Sequence, residues 1–332
     1  MRLEPLAWAV ILLALSAGGA WAQGTPNEAQ RCAPVADELD RYQYLRALSL
    51  DLRGRLPEAD ELALLDAGQD VPTALIDEWL ASEAFAAQAV RRHRALLWNS
   101  LDNQTLLTAN SGMQRAPGAE FNGQPPVYYR RNRARTYRDQ IVPCLNEPAR
   151  FDDAGRIRTR AVDGARREGW VEVRPYWAPD EPIRVCAFDA NPAEITPDGV
   201  NCDSRSGFND AECGCGPDLE RCTLGNSHRA VNQAMGEALD RLIHQLVVED
   251  APYTELFNTR RAFVNGPLVF FYTRQIGISR FNFEPNPMDP AGLPDLAFTD
   301  ADTWVEVELP QAHAGLLTRA GFLLRFQTNR AR

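Results

Sequence analysis

Apolar residues recur at helical spacing in two parts of the chain, and a part with weak periodicity lies between them. The spacing predicts an N-terminal helical bundle over residues 35–101 and a C-terminal helical domain over 227–332. Residues 102–226 are rich in Pro and Gly and contain six of the seven cysteines, with short strands predicted at 170–173 and 183–188. The predicted fold class is therefore mainly α, with two helical regions separated by a loop-rich, disulfide-stapled insertion that contains a few short strands.

The N-terminal region is predicted to contain four helices, separated by helix-breaking and capping residues. Gly54 follows the first apolar stretch and is a common helix stop. Residues 58–65 and 73–80 form two short amphipathic segments. Ser82 is placed to cap a longer helix over 83–101, because a serine hydroxyl accepts hydrogen bonds from the free N–H groups of a first helical turn.

The C-terminal region is predicted to contain three helices and one strand. Ser227 is placed to cap the first helix, whose apolar residues form one stripe. Residues 259–274 predict a second helical region, rich in Phe and Val, that Gly266-Pro267 should interrupt. Alternation over 304–309 predicts an edge strand, and 313–326 predict the last helix.

The N-terminus of the chain predicts export. Arg2 supplies a positive start, residues 6–15 form an unbroken apolar run, and Ala20-Trp21-Ala22 offers the small-x-small pattern that signal peptidase cleaves. The run is too short to span a bilayer as a permanent helix. We therefore interpret residues 1–22 as a cleaved bacterial signal peptide, place the protein in the periplasm or outside the cell, and expect membrane contact to be peripheral at most.

The charge of the chain argues against one class of partner. The net charge is −10, and all 35 basic residues are arginine. A protein that binds nucleic acid in general needs excess positive charge to hold the phosphate backbone. We therefore expect no nucleic-acid partner.

Residues 128–138 mix arginine with tyrosine and form the most basic stretch of the chain. Outside the cytoplasm, such a stretch predicts contact with an anionic surface, such as lipid head groups or an acidic polysaccharide. The other interpretation, which we favour, is neutralisation of the protein's own, more numerous carboxylates. The arginines concerned are Arg130, Arg131, Arg133, Arg135 and Arg138.

Four of the seven cysteines lie close together in the insertion. Export to an oxidising compartment favours disulfides over a metal site for such a cluster. Cys213 and Cys215 are separated by one glycine, so a bond between them would be strained, and each should pair with another partner. The expected partners are Cys222 and either Cys202 or Cys186.

An odd number of cysteines leaves one without a partner, and Cys32 or Cys144 is the expected one. A metal site built from the cluster and His228 is the alternative to disulfides, but its spacing matches no standard zinc or iron–sulfur site. The chain contains no Cys-x-x-Cys-His, so no covalently bound haem is expected.

Two histidines are candidates for a ligand role. His93 falls near the middle of the apolar face of the helix predicted over 83–101, where it is either a core residue or a ligand to a cofactor. His244 follows Asp240 at helical spacing, which could hold a metal, but that face is expected to meet water. No hydrolase elbow, zinc-protease helix or phosphate-binding loop is present in the sequence, so it nominates no catalytic residue.

Two stretches near the N-terminus follow a recognisable pattern. Residues 48–57 contain Leu-Asp-Leu-x-Gly-x-x-Pro, and residues 75–82 form a helix that ends before Ser82, with Trp79 where the pattern has leucine. An Arg-His step follows at Arg92-His93. These stretches resemble a helical domain of unknown function from planctomycetes and related bacteria.

The C-terminal third resembles a companion domain of the same system. The matching features are Phe-Val-Asn at 263–265, Tyr272, and Gly-Leu-Leu-Thr at 315–318. That domain usually runs on well past the last motif, whereas this chain ends at Arg332. We therefore expect a shortened, incomplete C-terminal domain or one that a second polypeptide completes.

The resemblance implies an exported protein, often with a c-type cytochrome domain in the same chain or beside it. Because this chain has no haem motif, haem c is expected only through a partner. The predicted function is an exported, non-catalytic subunit or scaffold of an extracytoplasmic assembly with other exported subunits. The alternative is an enzyme component, either an oxidoreductase or an accessory to polysaccharide degradation.

Overall fold

The computed structural model describes residues 39–66, 68–97, 101, 104–130, 141–210, 212–281 and 283–326. Of these residues, 39% are helical and 15% lie in strands. The α-helices of this part of the chain are α1 Arg41–Arg53, α2 Ala59–Ala63, α3 Thr73–Leu80, α4 Glu83–Leu97, α5 Ser227–Val248, α6 Glu255–Asn258, α7 Gly266–Phe270 and α8 Ala320–Phe326.

The strands are short and form several small sheets. They are β1 Met113–Arg115, β2 Val127–Arg130, β3 Arg150–Phe151, β4 Ile157–Arg158, β5 Arg160–Val162, β6 Ala165–Arg167, β7 Trp170–Val173, β8 Ile183–Cys186, β9 Arg261–Val264 and β10 Val305–Glu308. The largest sheet has the order β1-β2-β8-β7, in which β2 and β8 are parallel and the other pairs antiparallel. The remaining strands pair as β3–β4, β5–β6 and β9–β10.

The prediction of a mainly α fold is wrong. The central insertion is organised by a sheet of four strands, and the C-terminal region contains a two-stranded sheet of its own. The predicted strands at 170–173 and 183–188 are confirmed as β7 and β8 and lie within the larger sheet. The error arises because the pattern does not predict strands such as β2 and β9, whose partners β8 and β10 lie far away in the sequence. Helical periodicity over a short window cannot detect such partners.

The N-terminal helices follow their local signals. Thr73–Leu80 is helical as predicted, and Gly54 ends α1 in the left-handed conformation with φ 71°. The hydroxyl of Ser82 accepts a hydrogen bond from the N–H of Phe85, so the predicted cap of α4 is confirmed. The core of this region is formed by Leu45, Leu65 and Trp79.

Helix α5 is the longest element described and contributes buried residues to two hydrophobic clusters of the core. Its buried stripe includes Met235, Leu239 and Leu242, as the periodicity predicts. The helix packs against α4, β9, α7 and α8. The cap lies one residue earlier than predicted, because Asn226 occupies the N-cap position and Ser227 is already helical.

The helical region predicted over 259–274 is confirmed only from Gly266 onward, and its first part is a strand. Residues Arg261–Val264 form β9 and pair antiparallel with β10, which confirms the predicted strand in 304–309. Gly266-Pro267 starts a helix instead of interrupting one, since proline is well suited to the first helical turn. The side chain of Asn265 caps α7 by accepting a hydrogen bond from Leu268 N at 3.3 Å.

The predicted helix over 313–326 begins later than expected. Gly315 has φ 61°, and a Cβ at this position would lie 2.1 Å from the carbonyl oxygen of Phe257. This close approach keeps the chain out of the helical conformation. A short 3₁₀ turn, Leu316–Thr318, follows, and only Ala320–Phe326 is α-helical.

Three disulfides join parts of the central segment. They are Cys144–Cys186, Cys202–Cys213 and Cys215–Cys222. Three disulfides in one chain indicate that it folds in an oxidising, extracytoplasmic environment. Among the helices in the described part of the chain, none combines the length and apolar character that a membrane span requires.

Candidate functional site

The loop closed by the Cys215–Cys222 disulfide forms one wall of a cleft of about 460 Å³. We call it the disulfide-loop cleft. Residues 217–220 form this wall, residues 269–274 form a second wall, and the proline-rich segment 290–298 forms the third, with Tyr176 between them. Four segments that are distant in the sequence therefore meet at one concave surface.

The disulfide loop has an unusual backbone. Asp218 has φ 47° and Leu219 has φ 61°, so two successive residues with side chains adopt the left-handed region. Such conformations cost free energy and are found most often at functional sites. Here they are held by the disulfide, by full burial of Leu219 and by a hydrogen bond of 2.9 Å from Tyr176 N to the carbonyl oxygen of Asp218.

Three aromatic side chains form the apolar floor of the cleft. The ring of Phe270 stacks on Tyr176 with centroids 4.0 Å apart. Phe298 meets both rings edge-on, at 4.7 Å from Tyr176 and 5.4 Å from Phe270. All three rings are partly exposed, and their mutual packing makes the floor rigid.

The hydroxyl of Tyr176 ties this floor to the disulfide loop. It donates a hydrogen bond to the carbonyl oxygen of Cys222 at 3.3 Å and accepts one from Gln275 Nε2 at 3.3 Å. The same amide nitrogen of Gln275 donates to the carbonyl oxygen of Glu220 at 2.8 Å. Burial raises the pKa of Tyr176 to about 12, so the phenol stays protonated at neutral pH.

Glu220 is the most buried charged residue of the cleft, with 8% of its surface exposed. Arg274 Nε lies 3.8 Å from its Oε2, and Arg221 Nη2 lies 3.8 Å from its Oε1. Loss of water raises the pKa of this carboxyl group above its usual value, although both arginines act in the opposite direction. A carboxyl group that keeps its proton to higher pH can donate a hydrogen bond to a ligand.

Arg274 reaches the cleft from a single π-helical turn, Phe271–Gln275, that follows α7. Turns of this type inside helices are rare and occur frequently at functional sites. The hydroxyl of Thr273 donates to the carbonyl oxygen of Val269 in α7 at 2.8 Å. The turn directs Thr273 and Arg274 to the rim of the cleft while Gln275 points to the disulfide loop.

A second cleft, of about 450 Å³, lies between α4 and α5. Arg94 Nε donates to Asp240 Oδ2 at 2.7 Å, and His244 Nε2 lies 2.6 Å from Glu83 Oε2. His244 is partly exposed, as expected for a solvated face, and its side chain contacts Glu83 on α4. The helical pair considered as a metal site therefore serves to join two helices.

His93 is half-buried and not enclosed by the apolar core. Its Nδ1 lies 2.7 Å from the carbonyl oxygen of Ala89, and its Nε2 lies 3.1 Å from the hydroxyl of Tyr253. Leu96, expected on the same apolar face, is 75% exposed. The structure thus gives His93 a role in joining α4 to the segment before α6, and a cofactor role stays a prediction.

Arg130 does not belong to an anionic-surface contact, and this part of the prediction is wrong. Its side chain is fully buried, with the guanidinium 4.5 Å from the ring centre of Phe208. Its Nη2 donates to the carbonyl oxygen of Cys213 at 2.6 Å, and Asp189 lies 4.0 Å from Nε. The other four arginines of that prediction, Arg131, Arg133, Arg135 and Arg138, lie outside the described residues.

The cysteine pairs agree with the spacing argument. Cys213 bonds Cys202 and Cys215 bonds Cys222, so the two neighbours have different partners. Cys186 bonds Cys144, which removes Cys144 as the unpaired residue. Cys32, the other candidate for the unpaired residue, lies outside the described part of the chain.

One group of potential metal ligands occurs among the described residues. Ligand atoms of Glu168, Cys186 and Asp189 lie within 4.8 Å of one another. The sulfur of Cys186 is already bonded to Cys144, and a disulfide sulfur is not the thiolate that binds metals. The group therefore does not form a metal site.

The residues that line the disulfide-loop cleft were not identified as a site by the sequence pattern. Asp218 and Glu220 lie between two paired cysteines, which is the one local signal that could have directed attention to them. Phe270, Arg274 and Phe298 give no such signal, because only folding brings them to the loop.

Comparison of the chain with protein-family models, with curated proteins and with solved structures found no match.

Proposed function

We propose that the protein is an extracytoplasmic, non-catalytic subunit that binds a small ligand in the disulfide-loop cleft. The observation that carries the proposal is the cleft itself, whose 460 Å³ falls within the range of about 300–1,000 Å³ typical of small-molecule sites. Its apolar floor and its few polar groups match the usual composition of such sites. The disulfide and the buried hydrogen bonds of Tyr176 and Gln275 hold these groups in place before a ligand arrives.

The proposal includes export through a signal peptide at residues 1–22 and a periplasmic or extracellular location. The three disulfides support this placement, because such bonds persist in oxidising compartments. Mass spectrometry of the protein from its native host tests the cleavage. A mature chain that starts at Gln23 supports the proposal, and an intact N-terminus contradicts it.

A thermal-shift screen of the mature protein tests the binding function. The library contains amines, organic acids, sugars and nucleosides, each at millimolar concentration. A ligand present at 100 times its dissociation constant adds about 2.7 kcal/mol to the free energy of unfolding, so its Tm shift is readily measured. The same compound should shift the Phe298→Ala variant much less, because that variant lacks part of the floor.

Phe151→Ala is the matched control for this screen. Phe151 is 50% exposed on β3 and does not line the cleft. The control should respond to ligands like the unchanged protein. A library in which no compound shifts the Tm, or in which both variants respond equally, contradicts the assignment of the cleft.

An enzymatic role is the second candidate, and Glu220 favours it. A carboxyl group with a raised pKa in a cleft can act as a general acid. The Glu220→Gln variant separates the two functions when any compound found in the screen is followed by mass spectrometry. Turnover of the compound by the unchanged protein, lost in the variant while binding persists, supports the enzyme; an unaltered compound supports the binding subunit.

A c-type cytochrome is proposed as a partner on the resemblance of the N- and C-terminal motifs alone. The chain supplies no covalent haem attachment motif, so the haem would belong to the partner. Co-purification of the tagged protein from its native host, followed by a haem stain, tests the partnership. A preparation without a haem-stained partner removes the cytochrome from the proposal and leaves the cleft unaffected.

A further inference from the structure

The charged groups of the disulfide-loop cleft do not balance. Its ionisable side chains are Asp218, Glu220, Arg274 and Asp295, together with the protonated phenol of Tyr176. Glu220 lies 3.8 Å from both Arg274 and Arg221. Arg221 also donates to Asp203, so the two arginines are balanced by Glu220 and Asp203. Asp218 and Asp295 are both exposed, and neither carboxylate has an ion pair or a hydrogen bond within the described residues. The cleft therefore has two uncompensated negative charges at its rim.

The aromatic floor of the cleft also attracts cations. The face of an aromatic ring carries partial negative charge and attracts a cation placed within about 6 Å of its centre. The partly exposed rings of Phe270 and Phe298 lie beside the rim that contains Asp218 and Asp295. The whole protein has a net charge of −10, which raises the local concentration of cations near such a rim.

We propose that the disulfide-loop cleft binds an organic cation, in which an ammonium group is attached to an apolar or aromatic body. The apolar body lies on the floor formed by Phe270 and Phe298, and the ammonium group lies at the rim beside Asp218 and Asp295. An anionic ligand would meet two unpaired carboxylates, and a neutral polyol would gain nothing from their charge. This assignment rests on the proposed binding function of the cleft and adds the chemical class of the ligand.

Three probes with the same aromatic ring and different charges test the assignment. They are benzylamine, which is protonated at pH 7, benzyl alcohol and benzoate, each titrated into the mature protein and followed by NMR. Benzylamine should bind about tenfold more tightly than benzyl alcohol, since each nearby exposed carboxylate contributes a modest Coulomb attraction. Benzoate should bind most weakly. The preference for benzylamine should decrease as salt is raised, because salt screens exposed charges.

Two variants locate the charge preference. Asp218→Asn and Asp295→Asn should each weaken the binding of benzylamine about three- to tenfold and leave the binding of benzyl alcohol unchanged. Asparagine tolerates the left-handed conformation, so the first variant preserves the backbone of the loop. Asp153→Asn is the matched control, since Asp153 is an exposed carboxylate that does not line the cleft. It should bind all three probes as the unchanged protein does.

The outcomes separate this inference from the proposed function. Equal binding of the three probes, or preference for benzyl alcohol or benzoate, overturns the cationic assignment while the cleft remains a binding site. A preference for benzylamine that both variants retain also overturns the cationic assignment, because carboxylates other than Asp218 and Asp295 would then attract the ammonium group. If no probe changes the signals of cleft residues and no compound in the thermal-shift screen binds, the proposed function fails as well.

Discussion

At the scale of single residues, a buried network around Arg53 explains a departure from the sequence pattern. The guanidinium of Arg53 lies 3.8 Å from the ring centre of Trp79 and donates hydrogen bonds of 2.7 Å to both carboxylate oxygens of Glu61. Trp79 Nε1 donates to the same carboxylate at 3.0 Å. Trp79 occupies the position where the resembling pattern has leucine, and its indole covers the ion pair on one side.

Glu61→Gln should lower the free energy of unfolding by about 3 kcal/mol, because it leaves the buried guanidinium of Arg53 without its counter-charge. Urea unfolding at pH 7 measures the effect, and Glu78→Gln, at an exposed position of α3, is the control that should change little. Burial opposes ionisation of Glu61, but the hydrogen bonds from Arg53, Glu58 and Trp79 lower its pKa below 4.5. The stabilisation is thus present above pH 4.5 and is lost as pH falls further, so the two proteins should converge in acid.

The free energy of unfolding of Glu220→Gln, relative to the unchanged protein, should depend on pH in the opposite way. Loss of water raises the pKa of Glu220, so the folded protein holds a proton that the unfolded chain releases near its ordinary pKa of 4.5. The free energy of unfolding of the unchanged protein therefore falls as pH rises through this range. The loss remains above the pKa that Glu220 has in the folded protein. The variant should be more stable than the unchanged protein at neutral pH and similar to it below pH 4.5. The free energy of unfolding of both proteins is measured across this pH range. A difference between them that does not change with pH would contradict the raised pKa of Glu220.

At the scale of elements, the third wall of the cleft is held against α7 by a close backbone contact. A Cβ at Gly266 would lie 1.8 Å from the carbonyl oxygen of Ala297, and the N–H of Gly266 donates to the carbonyl oxygen of Asp300 at 3.1 Å. The segment 290–298 therefore lies where it does because α7 begins with a glycine. The position of Phe298 over Phe270 depends on this contact.

Gly266→Ala should lower the free energy of unfolding by about 1–3 kcal/mol, because the new methyl group displaces the 290–298 segment. It should also weaken any ligand of the disulfide-loop cleft, which a titration with the same compound measures. Gly292→Ala is the matched control in the same segment, since a Cβ there meets no atom within 4 Å. Equal effects of the two variants would show that the contact does not position the wall.

The elements also show which parts of the fold local sequence signals could predict. Thr73–Leu80 and α5 agree with their periodicity and lie close to their expected bounds. Residues 261–264 were predicted to be helical, but they form a strand because β10, more than 40 residues later, supplies the hydrogen-bond partners. Periodicity over a short window contains no information on a partner at that separation.

At the scale of the whole molecule, the disulfides serve two different purposes. Cys215–Cys222 closes a wall of the cleft, whereas Cys202–Cys213 closes the adjacent loop, whose residues do not line it. The carbonyl oxygen of Cys213 accepts from buried Arg130, which connects the second loop to β2. The two bonds span 7 and 11 residues, so their effects on the unfolded chain are comparable.

Replacing Cys215 and Cys222 together by serine should lower the free energy of unfolding by about 2–3 kcal/mol, the value expected for a loop of this length. The variant should also lose ligand binding, because the left-handed residues Asp218 and Leu219 are no longer constrained. Double replacement of Cys202 and Cys213 is the matched control, with a similar loss of stability and unchanged binding. Calorimetry and ligand titration on both variants check the two effects, and equal loss of binding would contradict the distinction.

The features that the sequence predicts correctly are those that depend on neighbours a few residues away. These are the bounds of Thr73–Leu80, the apolar stripe of α5, and the separate pairing of Cys213 and Cys215, since helix caps, periodicity and ring strain are local. The folded structure alone shows which strands pair into sheets and that a cleft exists. The cleft combines residues 176, 217–220, 269–274 and 290–298, and their contacts form when the chain closes long loops and brings Tyr176 against the disulfide loop. No local pattern encodes which of many possible distant contacts gives the lowest free energy, so that choice is visible only in the folded molecule.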